Sequence, residues 1–299
     1  MTVPAPGRPV VVGVDGSENA RAAAHLAAEE ARRRGAPLEL VSALPRAFFG
    51  TVTVTPEPGL FSAINERVSE VLRSVAAEVA DAAGEAPVSW SVVEGAPADV
   101  LREASGRAQL VVLGSRGVGG VAGLVTGSTA SAVVPTADCP VLVLPDDVST
   151  TVSERRSVVV GVEGRPGDDE VLSFAFEEAA ARGTDLVAVH AWQDVVLETP
   201  YQSLSVLVDW SSVREDEGRV LAETMAGWRD KVPDVPVREV VVRDRTARAL
   251  VAAALTAELL VIGHRRRNRL ARLGSTTHGV LHRTTCPLAV VPIPPVTAG

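Results

Sequence analysis

Residues 114–128 read Gly-Ser-Arg-Gly-Val-Gly-Gly-Val-Ala-Gly-Leu-Val-Thr-Gly-Ser. Glycines at this density let successive backbone N–H groups turn inward into an anion-binding nest. Ser128 stands where a helix can begin, with unpaired N–H groups and the positive dipole end aimed the same way. A polyphosphate suits that arrangement, although glycines of a surface turn would give the same composition. A second polar cluster, Asp15-Gly16-Ser17, closes the apolar run Val10–Val14. It offers either a carboxylate acceptor at a strand end or ordinary turn and cap chemistry. The strand-end position favours binding, because open α/β sheets take ligands there.

Two other phosphate loops do not fit. Gly117-Val118-Gly119 followed by Gly123 resembles a dinucleotide fingerprint, but it leaves no helix room before Gly127 and does not follow the first strand. A P-loop needs lysine before Ser128, where glycine stands. The chain's single lysine, Lys231, lies in the turn-like segment 229–233, which also excludes a kinase strand lysine and a Schiff-base lysine.

The loop belongs to a repeat. Residues 10–16, Val-Val-Val-Gly-Val-Asp-Gly, return as Val-Val-Val-Gly-Val-Glu-Gly at 158–164, and Glu29-Glu30-Ala31 returns as Glu177-Glu178-Ala179. Leu113-Gly114 matches Ile262-Gly263, Gly127-Ser128-Thr129 matches Gly274-Ser275-Thr276, and Cys139-Pro140 matches Cys286-Pro287. A period near 150 residues is a whole domain, so the chain is a tandem duplication with domains expected at 1–146 and 157–299. The second copy departs where the chemistry lies. Glu163 replaces Asp15, and five arginines fall between 265 and 272 in a loop where Arg266 stands in for Gly117. Arg265, Arg266 and Arg267 could hold phosphate through guanidinium forks, or form a solvated basic loop.

Composition narrows the function classes. A hydrophobic share of 46% with 22% charged residues is that of a globular protein, and 3% aromatics leave the cores to Val, Leu and Ala. Residues 1–150 carry 11 basic and 17 acidic groups, and residues 151–299 carry 18 and 20, so neither half has the basic surplus of a nucleic-acid binder. No apolar run is long enough for a membrane span and the N-terminus does not read as a signal peptide, so a cytoplasmic protein is expected. The two cysteines occupy equivalent places before a final apolar strand and read as core residues. The five histidines show no metal spacing. His25 and His190 read as packing or surface residues rather than catalysts.

The elements that must position these groups follow from periodicity. Val10–Val14 is a continuous β-branched run, as in a parallel strand buried on both faces. Residues 18–34 form a helix with Ala20, Ala23, Ala24, Ala27 and Ala31 on one side, ended by Gly35. Strands are expected at 38–44, 89–93, 110–113 and 141–144, with helices at 61–83, 97–104 and from Ser128. Pro135 shortens or bends the last helix. Segments 45–59 and 145–157 are irregular. Alternating strand and helix predicts an α/β fold, a doubly wound Rossmann-like sheet in each half. The short final apolar runs, Val141–Leu144 and Leu288–Val291, are edge strands expected to pair, packing the halves as a pseudo-dimer.

The spacing Gly114, two residues, Gly117, nine residues, Gly127-Ser128, together with the strand ending Val14-Asp15-Gly16-Ser17 and the closing Cys139-Pro140-Val141-Leu142-Val143, strongly resembles the universal stress protein family over residues 9–145 and 157–293. The resemblance implies two tandem domains, each a five-stranded parallel sheet with helices on both faces, and ATP, with or without Mg2+, as cofactor. It places Gly13, Val14 and Asp15 near ribose and phosphates and Ala43 against adenine, with Leu113, Gly114, Arg116, Gly117, Val118, Gly119, Gly127, Ser128 and Thr129 around the phosphates. In the second copy the same places fall to Gly161, Glu163, Ala191, Gly263, Arg265, Arg266, Gly274, Ser275 and Thr276. The expected role is regulatory, exerted on an unknown protein partner by a homodimer, without dedicated catalysis and without nucleic acid or membrane. The alternatives are an ATP-pyrophosphatase-type enzyme, whose serine-rich loop after the first strand is replaced here by Asp15-Gly16-Ser17, and a nucleotide-free member.

Overall fold

The computed structural model describes residues 7–44, 59–117, 127–146, 157–193, 210–265 and 273–294. They fall into two compact units. One gathers the described residues up to 146 together with Pro287–Pro292, and the other gathers residues 157–265, Gly274–Cys286 and the stretch from Ile293.

The first unit runs β1 (Val10–Gly13), α1 (Glu18–Arg34), β2 (Leu38–Leu44), α2 (Leu60–Ala83), β3 (Val88–Glu94), α3 (Pro97–Ser105), β4 (Leu110–Gly114), α4 (Ser128–Val133) and β5 (Val141–Leu144). The strands lie in the order β3-β2-β1-β4-β5, each neighbour parallel, with Val10 in register with both Leu38 and Leu110. Val10, Val11 and Val12 are fully buried, as the unbroken valine run requires of a strand covered on both faces. The alanine face of α1, Ala20 to Ala31, is buried because methyl groups let the helix lie close to the sheet. Ser17 Oγ caps that helix by accepting the Ala20 N–H at 3.1 Å. Gly35 ends it at φ 58°, a left-handed turn in which its N–H closes onto the Ala31 and Arg32 carbonyls. α4 stops at Val133, two residues ahead of Pro135, and so has the expected short form.

The second unit repeats the plan as β6 (Ser157–Gly161), α5 (Asp168–Arg182), β7 (Asp185–Trp192), α6 (Trp210–Met225), α7 (Trp228–Lys231), β8 (Val237–Arg243), α8 (Thr246–Ala254), β9 (Ala257–Arg265) and α9 (Ser275–Leu281), followed by β10 (Leu288–Ile293). Its strands β9-β6-β7-β8 are parallel. The residues of β10 that belong to the first unit add an antiparallel strand to it, Leu288, Ala289 and Val290 facing Val143, Leu142 and Val141. Both copies also keep a buried carboxylate on their first helix. Glu30, 1% exposed, lies 2.8 Å from Arg33 Nη1 and 3.5 Å from Arg34 Nε, and Glu178 pairs with Arg182, which also lies 3.2 Å from Glu258.

In the first unit β1 sits between β2 and β4, and in the second β6 sits between β7 and β9. The chain leaves the central strand to one side and returns on the other. That reversal opens a crevice at the carboxyl ends, where the loops diverge. Asp15 and the Ser115–Gly117 segment stand at its two lips.

Candidate functional site

In the first unit the crevice is built around close backbone approach. Asp15 is exposed, and its Oδ1 accepts the Ser17 N–H at 3.0 Å. Its other carboxylate oxygen points across the crevice at Gly117, where a Cβ would overlap Oδ2 and meet Cγ at 3.4 Å. The Asp15 carboxylate thus performs the turn chemistry with one oxygen and faces the glycine loop with the other. Gly117 is not in the left-handed conformation, and neither are Gly114 and Gly127. What glycine provides at 117 is space for the Asp15 carboxylate rather than a special φ.

Gly114 is required for a different neighbour. A Cβ there would overlap Asn19 Oδ1 and lie 2.8 Å from its Cγ. Asn19, in the first turn of α1, uses that oxygen to accept the Arg116 N–H at 3.1 Å, while its amide nitrogen reaches the Leu144 and Pro145 carbonyls at 3.5 and 3.4 Å. One side chain therefore ties the helix after β1 to the loop after β4 and to the end of β5. The buried Ser115 continues the lacing: its N–H donates to Leu144 O at 2.8 Å and its carbonyl accepts the Gly127 N–H at 2.5 Å. A Cβ on Gly127 would sit 3.1 Å from that carbonyl. Arg116 Nε lies 2.8 Å from Asp146 Oδ2 as an ion contact whose N–H is not aligned for a hydrogen bond.

The other expected positions divide into lining and support. Gly13 is held against Leu113 and Leu101 by packing, 2.9 and 3.0 Å from where its Cβ would be. Val14 is buried, donating its N–H to Val41 O at 2.9 Å, and Leu113 is buried as well. Ala43, half-buried near the end of β2, is in register with Val93. Ser128 and Thr129 open α4, with Gly127 as its cap residue. Val118 and Gly119 lie outside the described residues. Asn19, Ser115 and Asp146 complete the site, and sequence reasoning misses all three. Asn19, two residues after the Asp-Gly-Ser turn, carries no signal of this role in the sequence, and Asp146 lies in what reads as a polar linker.

The second unit closes the same place differently. Glu163 is exposed, with Oε2 3.3 Å from Arg265 Nη2, and Arg265 Nη1 donates to Pro166 O at 2.5 Å. The three N–H groups of Glu163, Gly164 and Arg165 converge on Asp168 Oδ2 at 3.1, 2.7 and 3.2 Å. Burial raises the Asp168 carboxyl above the usual range, against the opposing effect of those three donors. Gly161 packs on Leu250 and Ile262, and Gly263 on Ile293 and Val171. Ala191 is half-buried and in register with Val242, and Gly274 precedes Ser275 and Thr276 in the first turn of α9. Arg266 and Arg267 lie outside the described residues.

Among the described residues, His190 and both cysteines are committed to the interior. His190 is buried, its Nδ1 2.9 Å from Val162 O and its Nε2 2.7 Å from Glu217 Oε2. Both cysteines are buried, and burial pushes the Cys139 thiol up to about 12, with Asp138 adding to the shift. His278 on α9 and His282, the residue that caps it, lie one helical turn apart with ring centroids 4.3 Å apart and tilted at 51°, a spacing that reading the sequence for metal motifs overlooks. Among the described residues no third His, Cys, Asp or Glu joins them as a metal cluster. A cavity of about 340 Å3 in the second unit, lined by Ser157, Asp185 and Val237, lies at the amino ends of its strands, away from the crevice.

The sequence pattern that defines the universal stress protein family matches residues 7–145 and, separately, 154–292. The chain belongs to the universal stress protein family. Over 298 residues it is 38% identical to a universal stress protein of Mycobacterium bovis, spanning 97% of this chain and 99% of that relative. A universal stress protein of Mycobacterium tuberculosis H37Rv is 34% identical over 289 residues, 95% of this chain and 94% of the relative. In fold the chain is similar to the crystal structure of a universal stress protein from Archaeoglobus fulgidus DSM 4304, with a TM-score of 0.71 at 18% identity over 95% of this chain and 96% of that one. The family is thus represented here by two tandem α/β domains. Among the described residues no helix is long and apolar enough to cross a membrane.

Proposed function

We propose that this universal stress protein binds ATP in the crevice between β1 and β4 of its first domain, and that the bound nucleotide regulates its conformation or its affinity for a protein partner. The carrying observation is the approach of the Gly117 backbone to the Asp15 carboxylate across the switch point, a gap that a single Cβ would fill. A carboxylate is an acceptor only, so Asp15 suits ribose hydroxyls and is repelled by phosphate. The glycine segment, with the half-exposed Arg116, suits the phosphates, and Mg2+ would travel as their counter-ion. Ala43, a small half-buried residue near the end of β2, leaves room for the base.

Binding rather than turnover is the reading favoured by the commitment of His190 and the raised thiol of Cys139. Calorimetric titration of the full chain tests it: ATP should give a saturable heat, accompanied by a rise in Tm of about 2.7 kcal/mol equivalent at a hundredfold excess over Kd and by negligible ADP, AMP or pyrophosphate. No binding at millimolar ATP would overturn the proposal. Turnover near about 10 per second, the enzymatic norm, would replace it with the pyrophosphatase-type alternative. A cytoplasmic homodimer is the proposed setting, and light scattering that shows only monomer at micromolar concentration would remove the dimer.

A further inference from the structure

The turn after β6 forms an anion cradle that is already filled. Gly164 is left-handed at φ 71°, which swings the consecutive N–H groups of Glu163, Gly164 and Arg165 onto one point, as an anion-binding nest requires. The point is occupied by Asp168 Oδ2, held by all three donors at 3.1, 2.7 and 3.2 Å, and Asp168 is only 5% exposed. The first domain keeps the left-handed glycine, Gly16 at φ 89°, but not the carboxylate that fills the turn. The repeat offset of 148 puts Ala20 at the place of Asp168, and the Ser17 N–H instead meets the neighbouring Asp15 carboxylate.

Two further contacts tie off the same end of the second domain. Glu163, which replaces Asp15, faces Arg265 at 3.3 Å, and the other arm of Arg265 donates to Pro166 O. Of the arginines that could receive a phosphate, Arg265, which lies among the described residues, is thereby spent on the turn itself. His190 links the Val162 carbonyl, one residue before the turn, to Glu217 on α6. A nucleotide seated as in the first domain would find the N–H groups of this turn already taken by Asp168 and would have to break the Glu163–Arg265 pair to free a carboxylate for its ribose.

We infer that the second domain carries its own anion in place of a ligand, so that this chain takes one nucleotide and not two, and that removing the Asp168 carboxylate turns the cradle into a site for a small oxyanion. The stoichiometry rests on the reading of the first domain given above; the cradle does not. Two measurements on the full chain test the inference. Equilibrium dialysis with ATP should give one nucleotide per chain. In Asp168→Ala, inorganic phosphate should produce a saturable rise in Tm of a few degrees over chloride at matched ionic strength, absent in the wild type and in Asp168→Asn, which keeps an acceptor oxygen in the cradle. Two nucleotides per chain, or an Asp168→Ala response to phosphate no larger than that of the wild type, would overturn the inference. Zero nucleotides would instead overturn the first-domain reading and leave the phosphate response to decide about the cradle. Should Asp168→Ala fail to fold, the wild-type stoichiometry decides alone.

Discussion

Substituting Gly117 by alanine isolates the contact on which the nucleotide proposal depends. The added Cβ overlaps Asp15 Oδ2 and reaches Cγ at 3.4 Å. The overlapped atom is the end of an exposed side chain, so the carboxylate rotates away rather than straining the backbone. The fold loses the bond from the Ser17 N–H to Oδ1, 3.0 Å long in the native turn and worth about 1 kcal/mol, or about 2–4 °C in Tm for a domain of roughly this size. Binding loses more. A hydrogen bond from a ligand hydroxyl to a charged acceptor contributes about 1.5–3 kcal/mol, so ATP affinity should fall about ten- to a hundredfold. If the loss comes from displacing Asp15, then Asp15→Ala should cost a similar amount and the double variant little more than either single one. Independent effects would multiply instead. Calorimetry on the wild type, both single variants and the double variant measures all four corners. Unchanged affinity in Gly117→Ala, or additivity within about 0.5 kcal/mol in the cycle, would refute the coupling of Asp15 to Gly117.

Asn19→Ala removes the tie between α1, the β4 loop and the β5 end, and should lower both stability, by about 1–2 kcal/mol in a thermal melt, and ATP affinity; Asn19→Asp, which keeps the acceptor for the Arg116 N–H but not the donors, should fall between. Cys139, with its thiol pushed up to about 12, and the fully buried Cys286 should both resist alkylation at pH 8 in the native chain and react once denatured; prompt native labelling would show that the core opens. The Arg107 guanidinium, hydrogen-bonded to Glu39, holds that carboxyl below the ordinary carboxylate range against a smaller effect of burial. A carboxyl lowered in the folded state adds stability above its unfolded value and loses it as the pH falls through the folded one. The Tm gap between wild type and Glu39→Gln should therefore be present at neutral pH and close between roughly pH 5 and pH 3; a gap that widens on acidification would reverse the sign.

The elements were legible in the residues because local and tertiary preferences agree. The valine run of β1 and the alanine face and Gly35 stop of α1 each carry a physical reason that needs no partner, and Pro135 fixed the length of α4. The repeat then carried the plan into the second half. The site was legible only in part. Asp15 and Gly117 were visible from spacing, but their mutual contact was not, since it joins segments about 100 residues apart and depends on the β1–β4 pairing. Glycine density pointed to a backbone nest, whereas the structure shows that Gly117, without a positive φ, lies against the Asp15 carboxylate and leaves no room for a Cβ while that carboxylate keeps its place. Asn19 and Asp146 gave no signal because their partners, backbone groups of the β4 loop and the β5 end for Asn19 and the Ser115 and Arg116 side chains for Asp146, are brought near only by folding. In the second half the sequence shows Glu163, one methylene longer than Asp15, and arginines that could hold phosphate. That Asp168 fills the turn could not be read from a residue whose position in the repeat is held by alanine.

Native mass spectrometry of the full chain with ATP tests the central claim most directly. The account predicts a single ATP adduct per chain that is retained in Asp168→Asn and lost or sharply weakened in Gly117→Ala. A chain that carries no adduct at saturating ATP, or one whose adduct survives Gly117→Ala undiminished, would contradict it.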